Sequence, residues 1–351
     1  MIEKIRRICS SSAVNLSEML VTLTNDVVCR VALGRKYSQE EVGKKSMENV
    51  KVFVELMGIF DIGDYIPWLA WVNRYNGLDA KVEKSVKLTD GFLDDVIEEH
   101  MERSKREDKS DETTKARSSD LVDILLEIQN ENLIGFPLER DAMKAIILDM
   151  FAAGTDTTFS VMEWTMSELL KHPKILQKLQ FEVREIAQGK LEVTEDVLEK
   201  MHYLKAVIKE TLRLHSPIPL LVPRESTRDI KVLGYDIPAG TQVIVNAWAI
   251  GRDPILWENP EEFQPERFLD SNIDFRGLNF ELIPFGAGRR GCPGINFAIS
   301  VQELALAKLV NEFNLSLPNG MKPEELDMTE ASGLTVHKKL PLLAIATPYS
   351  C

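Results

Sequence analysis

Apolar residues recur at three- and four-residue steps from Leu16 to Leu33, with Leu16, Leu20, Leu23, Val27 and Val31 on one stripe and Gly34 as a stop. The same periodicity predicts helices over about Leu78–His100, Leu121–Gln129, Leu138–Lys171, Ile175–Gln188, Ala206–Leu214 and Ile295–Phe313. His172-Pro173 ends the Leu138–Lys171 helix, and the Ala206–Leu214 helix stops before Pro217, because proline lacks the N–H that continues the ladder. The pattern then changes. The run from Asp229 to Ile250 is rich in Val and Ile around a Gly and a Pro-Ala-Gly turn, which predicts a β-hairpin, and a second hairpin is expected over Leu334–Ala346. With no internal repeat, the reading is a single domain over residues 1–351, mainly α with small β-sheets.

Two stretches stand apart. Residues 98–120 are almost entirely charged or Ser/Thr, with both signs mixed, and are expected to form a charged mobile linker within the domain. Residues 53–77 concentrate apolar side chains around Pro67, Trp68 and Trp71, and core packing is the expected use of them, ahead of a membrane- or substrate-facing loop.

Charge and length narrow the classes. Lys and Arg number 42 against 55 Asp and Glu, a net charge of −13, which excludes bulk attraction to nucleic-acid phosphate. No stretch reaches the roughly 20 apolar residues of a membrane span. The start, MIEKIRRICSSS, lacks the apolar core of a signal peptide. The cysteines, Cys9, Cys29, Cys292 and Cys351, show no paired spacing, so neither a disulfide framework nor a zinc site is suggested. The histidines His100, His172, His202, His215 and His337 show no ligand spacing and read as surface or capping residues.

The strongest local signal is the run from Pro284 to Gly294, PFGAGRRGCPG. Its glycines allow a tight backbone wrap beside a flat ligand. Cys292 lies just before a helix, where the helix N-terminus and nearby amides favour a negative sulfur. A phosphatase-type nucleophile would need an Arg where Ala298 stands, and a thiol redox pair would need a Cys where Ile295 stands. What remains is a lone thiolate ligand to a metal held by something else, with Arg289 and Arg290 placed for anionic groups on it; haem iron with its propionates fits. An inert buried cysteine is the competing reading.

A second constellation is Ala153-Gly154-Thr155-Asp156-Thr157-Thr158, inside the predicted Leu138–Lys171 helix. Gly and Thr carry a helix-propensity penalty, so their clustering suggests room for a flat ligand and a hydroxyl that loosens the ladder. Helix packing through small residues competes with that reading. A third is Glu210-Thr211-Leu212-Arg213, an i,i+3 charge pair that means little alone but is followed by Pro265-Glu266-Arg267-Phe268 and then the cysteine loop.

AGTDTT, ETLR, PERF and PFGAGRRGCPG, in that order, resemble the cytochrome P450 superfamily of haem-thiolate monooxygenases, in particular the plant microsomal (A-type) members, over essentially the whole chain. The resemblance implies haem b ligated at iron by Cys292, with Phe285 against the porphyrin, Gly286 in the loop, and Arg290 and Arg224 on the propionates. It gives Glu210, Arg213 and Arg267 a structural triad, and Thr157 and Asp156 the delivery of protons to bound dioxygen. Substrate contacts would come from Phe151, Ala153, Ile218, Leu221, Val222 and Leu334. The implied activity is insertion of one oxygen atom of O2 into a hydrophobic small molecule, with NADPH-derived electrons supplied by NADPH–cytochrome P450 reductase docking near Arg289 and Arg290. The family type resides on the cytosolic face of the endoplasmic reticulum membrane, associated through an N-terminal anchor absent from this chain. The match begins partway through the helical region, so the sequence reads as an N-terminally truncated C-terminal portion. That motivates the alternative of a non-catalytic haem-binding remnant. An oxygen-independent rearranging enzyme on the same fold is the other alternative, and the intact Asp156-Thr157 pair argues against it.

Overall fold

A computed structural model describes residues 1–8, 12–36, 49, 51–107, 119–133, 135–188, 193–331 and 333–349. Where the sequence reads as one domain, these residues group into two compact units: residues 21–156, and residues 1–20 together with 157–351. The helices used below are α1 (Ile2–Ile8), α2 (Leu16–Leu33), α3 (Leu78–Glu107), α4 (Leu121–Glu131), α5 (Arg140–Lys171), α6 (Pro173–Ala187), α7 (His202–Leu214) and α8 (Ile295–Glu312). The strands are β1 (Val14–Asn15), β2 (Arg224–Glu225), β3 (Ile230–Val232), β4 (Tyr235–Ile237), β5 (Gln242–Val243), β6 (Phe313–Ser316), β7 (Glu330–Ala331), β8 (His337–Lys338) and β9 (Leu343–Pro348). The architecture is mainly α with small sheets, as the sequence predicts.

In the unit of residues 21–156, Leu93, Val96 and Ile97 of α3 and Leu125 and Leu126 of α4 are buried, and the two helices pack together. α4 opens with a capping box: Asp120 Oδ1 accepts from Asp123 N at 3.1 Å, and Asp123 Oδ2 accepts from Asp120 N at 3.2 Å. The linker expected at 98–120 is corrected over its first part, since residues 98–107 are the last turns of α3. Their charges are spent on ion pairs: Glu98 meets Arg140, Glu99 meets Arg35, and Arg103 meets Asp120 and Asp123. Residues 108–118 lie outside the described residues.

The aromatic segment is also corrected. Trp68 is 78% exposed and Trp71 57%. The buried position is taken instead by Asn73, whose amide donates to both oxygens of Asp61 at 2.8 Å. The rings pair among themselves on the outside: Phe60 stacks on Tyr65 at 4.9 Å, and Trp71 meets Tyr75 edge-on at 5.6 Å.

In the other unit, β9 lies between β1 and β6, antiparallel to both, so the three-stranded sheet joins the two ends of the chain. α6, α7 and α8 pack against one another. From Val161 to Leu170 every residue of α5 is buried, including Glu163 and Glu168. Such a helix shows no apolar stripe. Within it, the Thr165 and Ser167 hydroxyls donate to the carbonyls four residues back, at 2.7 Å each.

Both predicted hairpins are redrawn. β3 and β4 form one, turning at Leu233-Gly234 with φ of 49° and 89°. The chain after the Pro-Ala-Gly turn does not return to β4; β5 pairs with β2. Ser226 explains the change of partner, because its carbonyl accepts from Gly240 N at 2.7 Å and its hydroxyl accepts from Thr241 N at 3.0 Å. The closing segment is likewise no hairpin: β8 pairs back to β7 while β9 joins β1 and β6. Pro341 stands between β8 and β9 and cannot donate to a ladder.

Candidate functional site

One part of the candidate site is a polar junction between α7 and the Pro265–Phe268 turn. Glu210 and Arg213 fall on one face of α7 by their i,i+3 spacing, and both side chains are completely buried. Arg213 Nε and Nη2 each donate to a Glu210 oxygen at 2.8 Å, a bidentate fork. Arg267, in the 3-10 turn Pro265–Phe268, adds its Nε to Glu210 Oε1 at 3.0 Å, and Gln264 N donates to the same oxygen at 2.8 Å. The remaining Arg213 protons go to the carbonyls of Gly251 (2.5 Å), Pro260 (2.7 Å) and Glu262 (3.1 Å). Every donor of Arg213 is used, which a buried guanidinium requires. Gly251 has no alternative residue here, since a Cβ would strike the Arg213 carbonyl.

The cysteine loop follows. Gly286 and Gly288 adopt φ of 69° and 72°, open to glycine but disfavoured for other residues. Cys292 N donates to the Phe285 carbonyl at 2.9 Å and Gly291 N to Gly288 O at 3.0 Å, so the loop closes on itself two residues before Gly294, the N-cap of α8. Cys292 is exposed at the surface of this unit, as are Arg289 and Arg290. Phe285 is half-buried, edge-on to Phe275 at 5.6 Å. Arg224, distant in sequence, donates to the Arg290 carbonyl at 3.4 Å, which brings the two expected propionate-binding arginines to one loop. A Cβ on Gly288 would meet only open space, and one on Gly294 would lie 3.8 Å from the Cys292 sulfur. An exposed thiol, a bare backbone beside it and two adjacent arginines suit a soft metal carried in a flat, anionic ring.

The substrate-contact candidates Ile218, Leu221, Val222 and Leu334 are tied together in the same unit. Val336 N donates to Pro217 O at 2.9 Å, and the Val336 carbonyl accepts from Ser160 Oγ at 2.7 Å and from Trp164 Nε1 at 3.1 Å, both on α5. Val222 is 64% exposed; Ile218, Leu221 and Leu334 are half-buried. Trp164 and Ser160 carry no signal in the sequence, because a helix buried all round gives no stripe to mark one of its residues.

α5 runs unbroken through the AGTDTT segment. Phe151, Ala153 and Asp156 fall in the unit of residues 21–156, and Thr157 in the other. Phe151 is buried and packs against Phe92 at 6.3 Å, and Ala153 is exposed. Gly154 does not leave room for a ligand: a Cβ there would come within 3.2 Å of Val28 Cγ2, so this glycine serves helix packing. The hydroxyls of Thr155 and Thr158 are buried without a hydrogen-bond partner among the described residues.

The histidine expectation is corrected. His100 is buried, its Nδ1 against the Val96 carbonyl (2.7 Å) and its Nε2 against Asp120 (3.1 Å). His100, Asp120 and Asp123 gather potential ligand atoms within 4.8 Å of one another, but Arg103 bridges the two carboxylates and meets their charge. His215 stacks flat on Trp164 at 4.3 Å and bonds Glu168 at 2.7 Å; His172 Nδ1 bonds the Glu168 carbonyl at 2.9 Å and lies 3.2 Å from the same carboxylate. Burial pushes the Glu168 pKa up, but the two imidazole hydrogen bonds and charges outweigh it and hold it at about 2.

Known proteins match the chain along nearly its whole length. The cytochrome P450 family model matches residues 1–344. Cytochrome P450 71A2 of Solanum melongena is 61% identical over 350 residues, covering 99% of this chain and 68% of that protein. Norfluorocurarine oxidase of a Strychnos species is 59% identical over 346 residues (98% and 68%), and (+)-menthofuran synthase of Mentha piperita is 53% identical over 348 (99% and 68%).

Proposed function

The chain belongs to the cytochrome P450 family of monooxygenases, and from that premise we propose that it binds haem b through Cys292 and oxidises a small hydrophobic plant metabolite. The observation that carries this reading is the self-closed loop presenting an exposed Cys292 thiol beside Arg290 and Arg224. When bound, a thiolate-ligated haem supplies activation of O2 for insertion of one oxygen atom into substrate. Cys292 holds the iron, and Gly286 and Gly288 let the backbone pass close to the ring. Phe285 packs beside it, and Arg290 and Arg224 pair with the propionates. The Glu210–Arg213–Arg267 junction fixes the chain leading into the loop and touches no substrate.

Thr157 and Asp156 are assigned the passage of protons along α5. Ile218, Leu221, Val222 and Leu334 are apolar and suit an apolar ligand, and Phe151 and Ala153 complete the proposed set. Two of the relatives, norfluorocurarine oxidase and (+)-menthofuran synthase, are named for individual small molecules, which accords with this class. NADPH–cytochrome P450 reductase is the proposed electron donor, docking at the exposed Arg289 and Arg290, on the cytosolic face of the endoplasmic reticulum membrane. Among the described residues no helix is long and apolar enough to cross a membrane.

The test is to load the chain with haem, reduce it and add carbon monoxide. A thiolate-type Soret band in the parent and its disappearance in Cys292→Ser are expected. Absence of haem uptake, or the same band in Cys292→Ser, refutes the assignment.

A further inference from the structure

The Val336 carbonyl is a junction. It accepts from Ser160 Oγ and Trp164 Nε1, which use both of its lone pairs, while the amide of the same residue donates to Pro217. Trp164 itself is not free to turn: it is buried, the His215 ring lies parallel to it at an interplanar angle of 5°, and His215 is held by Glu168. Two neighbouring contacts extend the seam along α5, Phe159 on His337 at 5.3 Å and the Glu163 carboxylate accepting from Lys338 N at 3.2 Å.

On the far side of Pro217 the chain is strained. Leu221 has φ of 53°, in the left-handed region that L-residues other than Asn and Asp rarely adopt. Such a conformation persists only where its surroundings fix it from several sides. The fixing contacts are visible: Val336 N to Pro217 O, Trp248 N to Pro219 O at 3.0 Å, and Leu221 N to Ile218 O at 3.1 Å.

We propose that Trp164 and Ser160 are positioning residues which, by clamping the Val336 carbonyl, set the spacing between the Ile218–Val222 and Gly333–Leu334 segments and so select the shape of apolar molecule the site admits. The selectivity rests on the reading of those segments as substrate-lining. The clamp itself does not.

Trp164→Phe keeps a ring for His215 to stack on and removes the donor together with the pyrrole part of the buried indole, whereas Ser160→Ala removes the other donor with little loss of volume. Hydrogen exchange on the full 351-residue chain reads the clamp. The amide of Val336 and those of residues 216, 218 and 220–222 should exchange roughly five- to tenfold faster in Trp164→Phe, the size of one net hydrogen bond, and faster still in the double variant. The β6–β9 ladder should be unmoved. Unchanged exchange in the double variant, or equal acceleration in β6–β9, overturns the proposal. Titration of the haem-loaded chain with imidazole and 1-phenylimidazole then reads selectivity. A shift of roughly threefold or more in the ratio of the two Kd values is expected in Trp164→Phe, since shape affects the larger probe alone. An unshifted ratio overturns the selectivity. A chain whose exchange responds but which takes up no haem refutes the haem assignment and leaves the clamp standing; a haem-loaded chain with silent exchange does the reverse.

Discussion

His100 has an acceptor at each ring nitrogen, the Val96 carbonyl and the Asp120 carboxylate. A neutral imidazole carries one N–H, so satisfying both requires the imidazolium. Burial lowers the His100 pKa, but the Asp120 hydrogen bond, the Val96 carbonyl and the Asp120 charge together leave it above 6.5. For Asp120, burial raises the pKa and is outweighed by His100, the Asp123 amide and Arg103, so it lies below 3.8. The signs follow from which state binds protons more tightly. The histidine contribution is complete below 6.5 and is lost as pH rises through its raised value; the aspartate contribution is complete above 3.8 and is lost as pH falls through its lowered one. Urea midpoints measured from about pH 5 to about pH 9 should therefore decline over the upper part of that range, and His100→Asn should remove that part of the decline. A variant with the parent's pH slope would show that the His100 pKa does not rise on folding.

Around α7, the Glu210–Arg213–Arg267 junction behaves as one element with the Pro265–Phe268 turn. Arg213→Leu leaves a fully buried carboxylate with Arg267 as its remaining cation, and a loss of about 3–5 kcal/mol in unfolding free energy is expected. The double variant Glu210→Leu with Arg213→Leu should recover part of it, because no charge is then left stranded on α7; a double variant worse than the single one would contradict that account. This element was legible in the sequence because i,i+3 spacing on a helix is local, and the later PERF run supplied the third partner. The cysteine loop was legible for the same reason, with glycines, arginines and cysteine in one short run. The contribution of α5 was not: from Val161 to Leu170 every position is buried, so periodicity cannot separate Trp164 from its neighbours. Pairing partners of short strands are not legible, because Ser226 and Pro341 redirect the chain after strand-like runs that look alike. The exposure of Trp68 and Trp71 is not legible either, because composition weighs rings as core, whereas the buried position goes to Asn73, held by the half-buried Asp61.

At the scale of the molecule, Glu163 joins three remote parts of the chain. Its carboxylate accepts from the Ser17 hydroxyl and from Lys338 N, and Ser17 Oγ in turn accepts from Leu342 N at 2.8 Å. Burial raises the Glu163 pKa above 4.5, more than these hydrogen bonds lower it. The folded state thus holds this proton more tightly than the unfolded one, and stability from this group falls as pH rises from 4.5 through the raised value. Thermal unfolding of Glu163→Gln should gain on the parent over that window, and a constant difference between the two at all pH values would show that the Glu163 pKa does not change on folding. The sheet that closes beside it also dictates an order of events during synthesis. Residues 21–156 are complete as a unit early, yet β1 has no partner until β9 is made, a wait on the ribosome of roughly 20 to 60 s at ordinary elongation rates. A stop codon between Ser316 and Leu343 would therefore leave both β1 and β6 without the strand that pairs them.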